Sequence, residues 1–141
     1  MNLAGERVKR GAFSELRRQG EKVADLARDM APHLRGDLEQ AIQVSEPFNQ
    51  RDRLGRFARA EVQIFVDPEA ESSTGHNVAK YAYLMHEGQE PYGTAYRRGA
   101  GTRAKGPKAG GGYMARAFEE YASKVTPAVV ARVQQELEDE L

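Results

Sequence analysis

Two stretches carry residues at spacings that come near to known chemistry. Gly101-Thr102-Arg103-Ala104-Lys105-Gly106-Pro107-Lys108 approaches the glycine-rich loop that cradles phosphates. In such a loop backbone amides and a lysine hold the nucleotide. Here Pro107 stands at the lysine's place, and no strand precedes the loop to aim its amides, so nucleotide binding is not expected. His86-Glu87 is half of the zinc-binding H-E-x-x-H, but Glu90 occupies the place of the second histidine, and His33, His76 and His86 lack a ligand-like pairing. Ser14, Ser45, Ser72, Ser73 and Ser123 have no G-x-S-x-G frame, and the carboxylates belong to charged helix faces. The chain has no cysteine, which excludes a disulfide framework, a thiolate zinc site and a cysteine nucleophile. The residues therefore predict a protein that is not an enzyme, with no catalytic residue, cofactor or metal.

Binding chemistry is better represented. Tyr92 and Tyr96 interleave with Arg97, Arg98 and Arg103, and Lys105 and Lys108 follow. Stacking rings among phosphate-seeking cations are the equipment of single-strand binders. Over the whole chain 21 basic residues balance 21 acidic ones, so the overall basic excess of a dedicated nucleic-acid binder is absent. The charge is nevertheless uneven. Between Gly88 and Gly112 five bases face the single acid Glu90, while from Glu119 to Leu141 six acids face two bases. Opposite patches can steer copies of the chain head to tail, or they can be two unrelated solvated faces. In a ring the loops would converge on the channel and their charges would sum; otherwise the loop is solvated and orders on assembly.

These residues need a scaffold, and 141 residues suffice for one domain, 1–141, with 88–112 as a long flexible loop. Apolar residues are 40% and charged residues 30%, with mean hydropathy -0.71, so the core must be modest. No run approaches the roughly 18 apolar residues of a membrane span, and Met1 to Phe13 has charges where a signal peptide is apolar. A chain that neither spans a membrane nor is exported is expected.

Val8, Phe13, Leu16, Val23, Leu26, Met30 and Leu34 recur at three- and four-residue spacing, which predicts a helix over about 10–31 ended by Pro32. Gly20 is a weak point in it, at about 1 kcal/mol relative to alanine. Residues 38–47 read mostly as strand, and 60–67 as the clearest strand, with Val62, Ile64 and Val66 inward. Phe65 falls on the other face and is the candidate subunit contact. The polar run Asn49–Gly55 between these strands predicts an antiparallel hairpin. Asn77 can cap a short helix closed by Gly88, and residues 88–112 hold eight of the fourteen glycines. Helical spacing returns at Tyr113, and Thr126-Pro127 predicts either two helices or one kinked there. The fold class is α+β: a long N-terminal helix, a small antiparallel sheet built on a hairpin, a short helix, a Gly-rich basic loop and a C-terminal helix.

Three blocks then form a pattern: Pro32-His33-Leu34-Arg35-Gly36-Asp37-Leu38 running to Ile42, Tyr81-Ala82-Tyr83-Leu84-Met85-His86-Glu87-Gly88, and Tyr113-Met114-Ala115-Arg116-Ala117-Phe118-Glu119. In their order, over roughly residues 32–119, they resemble the head-tail joining or tail-completion proteins of long-tailed bacteriophages, also called neck, head-tail connector or minor tail proteins. Members of that family commonly have Gly-Thr where this chain has Gly88-Gln89, so no loop residue takes a role from the resemblance. The resemblance implies a structural virion protein, assembled in the host cytoplasm, forming a hexameric ring at the head-tail junction. Its implied partners are copies of itself, neighbouring neck, tail-terminator or tail-tube proteins, and DNA passing through the channel, with no membrane. A tail terminator of the same junction, or a small nucleic-acid-binding module using the basic loop, are the alternatives.

Overall fold

The computed structural model describes residues 3–139 except 34–35, 52, 73, 87–99 and 107. The fold is α+β. Helix α1 spans Leu3–Met30, seven residues longer at its N-terminus than the apolar spacing predicts, and it stops at the expected place. Ala31 still donates to the Ala27 carbonyl at 2.8 Å, and Pro32 then prevents another turn. Asp37–Ala41 forms a short helix, α2, where a strand was expected. The reason is packing: Leu38 and Ala41, three residues apart, both bury, which a helical turn allows and a strand does not.

The chain then turns extended. Strands β1 (Ile42–Val44), β2 (Phe48–Arg51), β3 (Phe57–Glu61) and β4 (Ile64–Val66) form two two-stranded sheets. β1 runs antiparallel to β4, with Ile42 opposite Val66 and Val44 opposite Ile64, so the two expected segments do pair. The expected strand over 60–67 is broken, however, because Val62 and Gln63 lie between β3 and β4. Ser45 holds that step: its amide donates to the Gln63 carbonyl at 2.8 Å, and its hydroxyl accepts from the Gln63 amide at 2.9 Å. The polar connection is itself a ribbon, β2 against β3, with an irregularity between Gln50 and Arg51. Val62, Ile64 and Val66 are half-buried, and Phe65, on the opposite face, is 37% exposed.

Helix α3 (Val78–His86) starts as expected, the Asn77 side chain accepting from the Lys80 amide at 3.0 Å. Its proposed closure at Gly88 lies outside the described residues. A short helix α4 (Ala100–Ala104) forms inside the stretch read as loop. Helix α5 (Tyr113–Asp139) is one helix that carries Pro127 in its interior. Pro127 and Ser123, whose carbonyl loses its helical donor, are both exposed, so water can meet that carbonyl.

The core joins Val23, Ala24, Ala27, Met30 and Ala31 of α1 and its end to Leu38, Ala41, Ile42, Val78, Ala82, Tyr113 and Ala117. Four of these residues on the α1 side and α5 are alanines, which lets helices approach closely without contributing much apolar volume. The helices α1 and α5 run antiparallel: Arg7 reaches Glu136 at one end, and Gly110, just before α5, reaches Met30 at the other. Gly20 is the crossing point of α1 with the sheet region, since a Cβ there would stand 3.2 Å from both Val44 Cγ1 and Val62 Cγ1. For Gly20→Ala, the gain in helix propensity and the tight contacts should nearly cancel, leaving stability within about 1 kcal/mol of wild type. Gly20→Leu should lose about 1–3 kcal/mol by overpacking, read as a lower urea midpoint.

Candidate functional site

The glycine-rich segment after residue 99 meets the end of α1, and several polar groups bond at this corner. A helix end exposes carbonyls without helical donors. Lys105 Nζ donates to the carbonyls of Arg28 at 2.8 Å and Ala31 at 2.9 Å, and it pairs with Glu39 Oε2 at 3.3 Å. The Gly110 amide takes the Met30 carbonyl at 2.8 Å. Thr102, fully buried, accepts from the His33 amide at 2.8 Å. The His33 ring lies against Glu39, Nδ1 to Oε2 at 2.5 Å. Gly101 makes the approach possible, because a Cβ there would meet His33 Cδ2 at 2.7 Å and its carbonyl oxygen at 3.1 Å. A positive charge at a helix C-terminus also complements the helix dipole.

This corrects the expectation of an unbroken flexible loop over 88–112. Residues 100–106 and 108–112 are folded onto the body, with Thr102 and Ala109 buried. Lys105 holds a helix end, and Lys108 pairs with Glu120 of α5. Arg103 stands exposed on α4. Tyr92, Tyr96, Arg97 and Arg98 lie outside the described residues. The seven predicted loop residues are therefore not seen gathered at one site.

The acidic tail is likewise spent partly inside the subunit. Glu136, buried on α5, accepts from Arg7 Nε at 3.0 Å and Arg132 Nε at 2.9 Å, while Asp139 lies 3.8 Å from Arg7. The hydrogen bond from Arg132, ahead of that from Arg7, holds the Glu136 carboxyl below the usual carboxylate range. Further along the helix pair, Gln19 donates to the buried Glu15 at 2.8 Å and accepts from the Tyr121 hydroxyl at 2.7 Å. Burial, with a smaller contribution from Tyr81, pushes the Tyr113 hydroxyl up to about 12, and that hydroxyl donates to the Ala82 carbonyl at 3.3 Å.

An open groove between α1 and α5, about 410 Å³, is lined by Lys22, Asp25, Asp29, Glu120 and Lys124 around Leu26 and Tyr121. Its charges are mixed in sign and give no convergent set. Among the described residues no group of three or more histidines and carboxylates is placed to hold a metal, and no helix is long and apolar enough to cross a membrane.

Exposed apolar side chains are more prominent: Leu54 on the β2–β3 turn, Phe65 on β4, Tyr83 on α3, and Phe118, Val130 and Leu137 on α5. Val130 and Leu137, seven apart, share one face of α5. Sequence reasoning also passed over four arginines: Arg51 and Arg53 lie in the polar run Asn49–Gly55, and Arg56 and Arg59 follow it with no role assigned. Their recurrence every two or three residues between two apolar runs was the available signal. Comparison with protein-family models, with curated proteins and with solved structures finds no match.

Two outcomes are expected. Lys105→Met keeps the stem but leaves helix-end carbonyls and Glu39 without the ammonium, and should cost about 1–3 kcal/mol in urea unfolding. Glu136 has a lowered folded-state pKa, so its contribution is present above its ordinary value of 4.5 and is lost as pH falls through the folded value. Glu136→Gln should therefore lower Tm at neutral pH, and the gap to wild type should close on acidification; a gap independent of pH would contradict the assignment.

Proposed function

We propose that this chain is a structural virion subunit that forms a hexameric ring at the head-tail junction of a long-tailed bacteriophage, joining the tail to the DNA-filled head. The observation that carries this reading is where the three resembling blocks fall. Pro32–Ile42 supplies Leu38, Ala41 and Ile42 to the core, Tyr81–Gly88 supplies Ala82, and Tyr113–Glu119 supplies Tyr113 and Ala117. The second and third blocks also bond to each other, Tyr113 to Ala82. A resemblance spread over three separated segments thus rests on residues that meet in space, as expected if the likeness is one of fold.

The surface is consistent with assembly. Among the described residues the β1–β4 sheet has two strands, so it keeps outer edges that a neighbouring copy can extend. Phe65, Val130 and Leu137 offer apolar area beyond the core. Lys105, Lys108 and Glu136 have partners within the subunit, so the ring contact in this proposal is apolar rather than the head-to-tail charge pairing first considered. A ring requires one heterologous contact repeated until it closes.

Native mass spectrometry and negative-stain electron microscopy of the purified protein, alone and with proteins of a phage head-tail junction, should show a closed ring. Val130→Asp combined with Leu137→Asp should yield monomers with unchanged helix content. A chain that stays monomeric at every concentration and joins no particle would overturn the reading.

A further inference from the structure

The β2–β3 ribbon has no role in the ring contact proposed above. Between residues 51 and 60 it carries four arginines, Arg51, Arg53, Arg56 and Arg59, against one acid, Asp52. All four arginines are exposed. The ribbon's main contacts are between its own two strands, and Gln50, Arg51, residues 53–56, Arg59 and Ala60 are exposed, so its outer part forms an arm. At its tip Leu54 is 76% exposed, and Gly55 takes the left-handed conformation, φ 76°, that the turn requires. The Arg51 guanidinium donates to the Gly55 carbonyl at 2.8 Å, which ties the turn to its stem.

We infer that this arm binds duplex DNA, setting its arginines against the phosphate rows on either side of a groove with Leu54 leading. Three features favour nucleic acid over an acidic protein. First, the charge is strung along the ribbon and round its tip: the ladder sets Arg51 opposite Phe57, two residues from Arg59, and Arg53 and Arg56 flank the turn. A phosphate row is a run of regularly spaced anions that such a string of cations can follow. Second, two strands about 4.8 Å apart make a ribbon narrow enough for a major groove about 12 Å wide. Third, a protruding apolar side chain among cations suits apolar contact with base edges in that groove, such as a thymine methyl, which a charged protein surface does not offer. The Arg59–Glu61 pair at 3.5 Å is exposed and exchangeable, so phosphate can replace it. The inference stands whether or not the chain forms a ring.

The test is fluorescence anisotropy with a labelled mixed-sequence duplex of about 20 base pairs, titrated with the full chain between about 50 and about 200 mM salt. Four phosphate contacts predict a fall in affinity on the order of 100-fold across that range. Replacing Arg51, Arg53, Arg56 and Arg59 together by glutamine should weaken binding at least about tenfold at low salt and flatten the log–log salt slope by roughly 3 to 4. Circular dichroism should show the variant folded. If it is not, Arg53→Gln with Arg56→Gln at the tip is the substitute, with a slope change of roughly 2. Leu54→Ala should weaken binding less and leave the slope unchanged. No salt-sensitive binding by the wild-type chain, or full affinity and slope in a folded arginine variant, would overturn the inference. So would poly-glutamate displacing the chain as well as duplex at equal charge, which would assign the arm to an acidic protein partner.

Discussion

A helix of 28 residues ends with carbonyls that its own backbone cannot satisfy, and the way this chain satisfies them organises everything after residue 99. Pro32 blocks continuation, so the donors come from far along the sequence: the ammonium of Lys105 and the amide of Gly110. Both interactions require the glycine-rich segment to lie flat on the helix end, where Gly101 has no room for a side chain. Once that segment is fixed, the Gly112 amide meets the His86 carbonyl at 2.7 Å, and α5 must start beside α3 with Tyr113 buried between them. One capping problem thus sets the path of the chain from α4 into α5.

The long helix pair divides into two regimes. Near residue 30 of α1 the contact is apolar and alanine-rich, and it merges with the core. Toward the other end it is polar, through Gln19 and Tyr121, buried Glu15, and the Arg7–Glu136–Arg132 group, with Gly11 making room for Glu136. Hydrogen-bonded and ionic contacts of this kind fix register more than they add stability, because desolvation offsets much of their attraction. The apolar side chains left outside, Val130 and Leu137 on α5 and Phe65 on β4, are then surface that a neighbour can cover. A core this small, in a chain of mean hydropathy -0.71, gives association a physical motive.

The glycine-rich segment shows how composition misleads. Abundant glycine and few aliphatic residues read as freedom, yet at Gly101 glycine serves close approach, and at Gly110 the backbone amide caps a distant helix. Lys105 and Lys108 read as part of a basic patch and are each paired within the subunit. Conversely, Arg51 and Arg53 read as part of a polar turn, although with Arg56 and Arg59 they are exposed along a two-stranded ribbon.

Sequence by itself determined the α+β class, the end of α1 at Pro32, the Asn77 cap, the pairing of the two apolar strand segments and the outward face of Phe65. These follow from local rules: side-chain periodicity, the geometry forced by proline, and hydrogen bonds between residues a few positions apart. Tertiary structure alone decided that Asp37–Ala41 is helical, that α5 runs through Pro127, that the strand over 60–67 breaks into β3 and β4, and that Lys105 caps a helix more than seventy residues upstream. Each depends on which distant group supplies a buried contact or a missing hydrogen bond, and local spacing does not encode that.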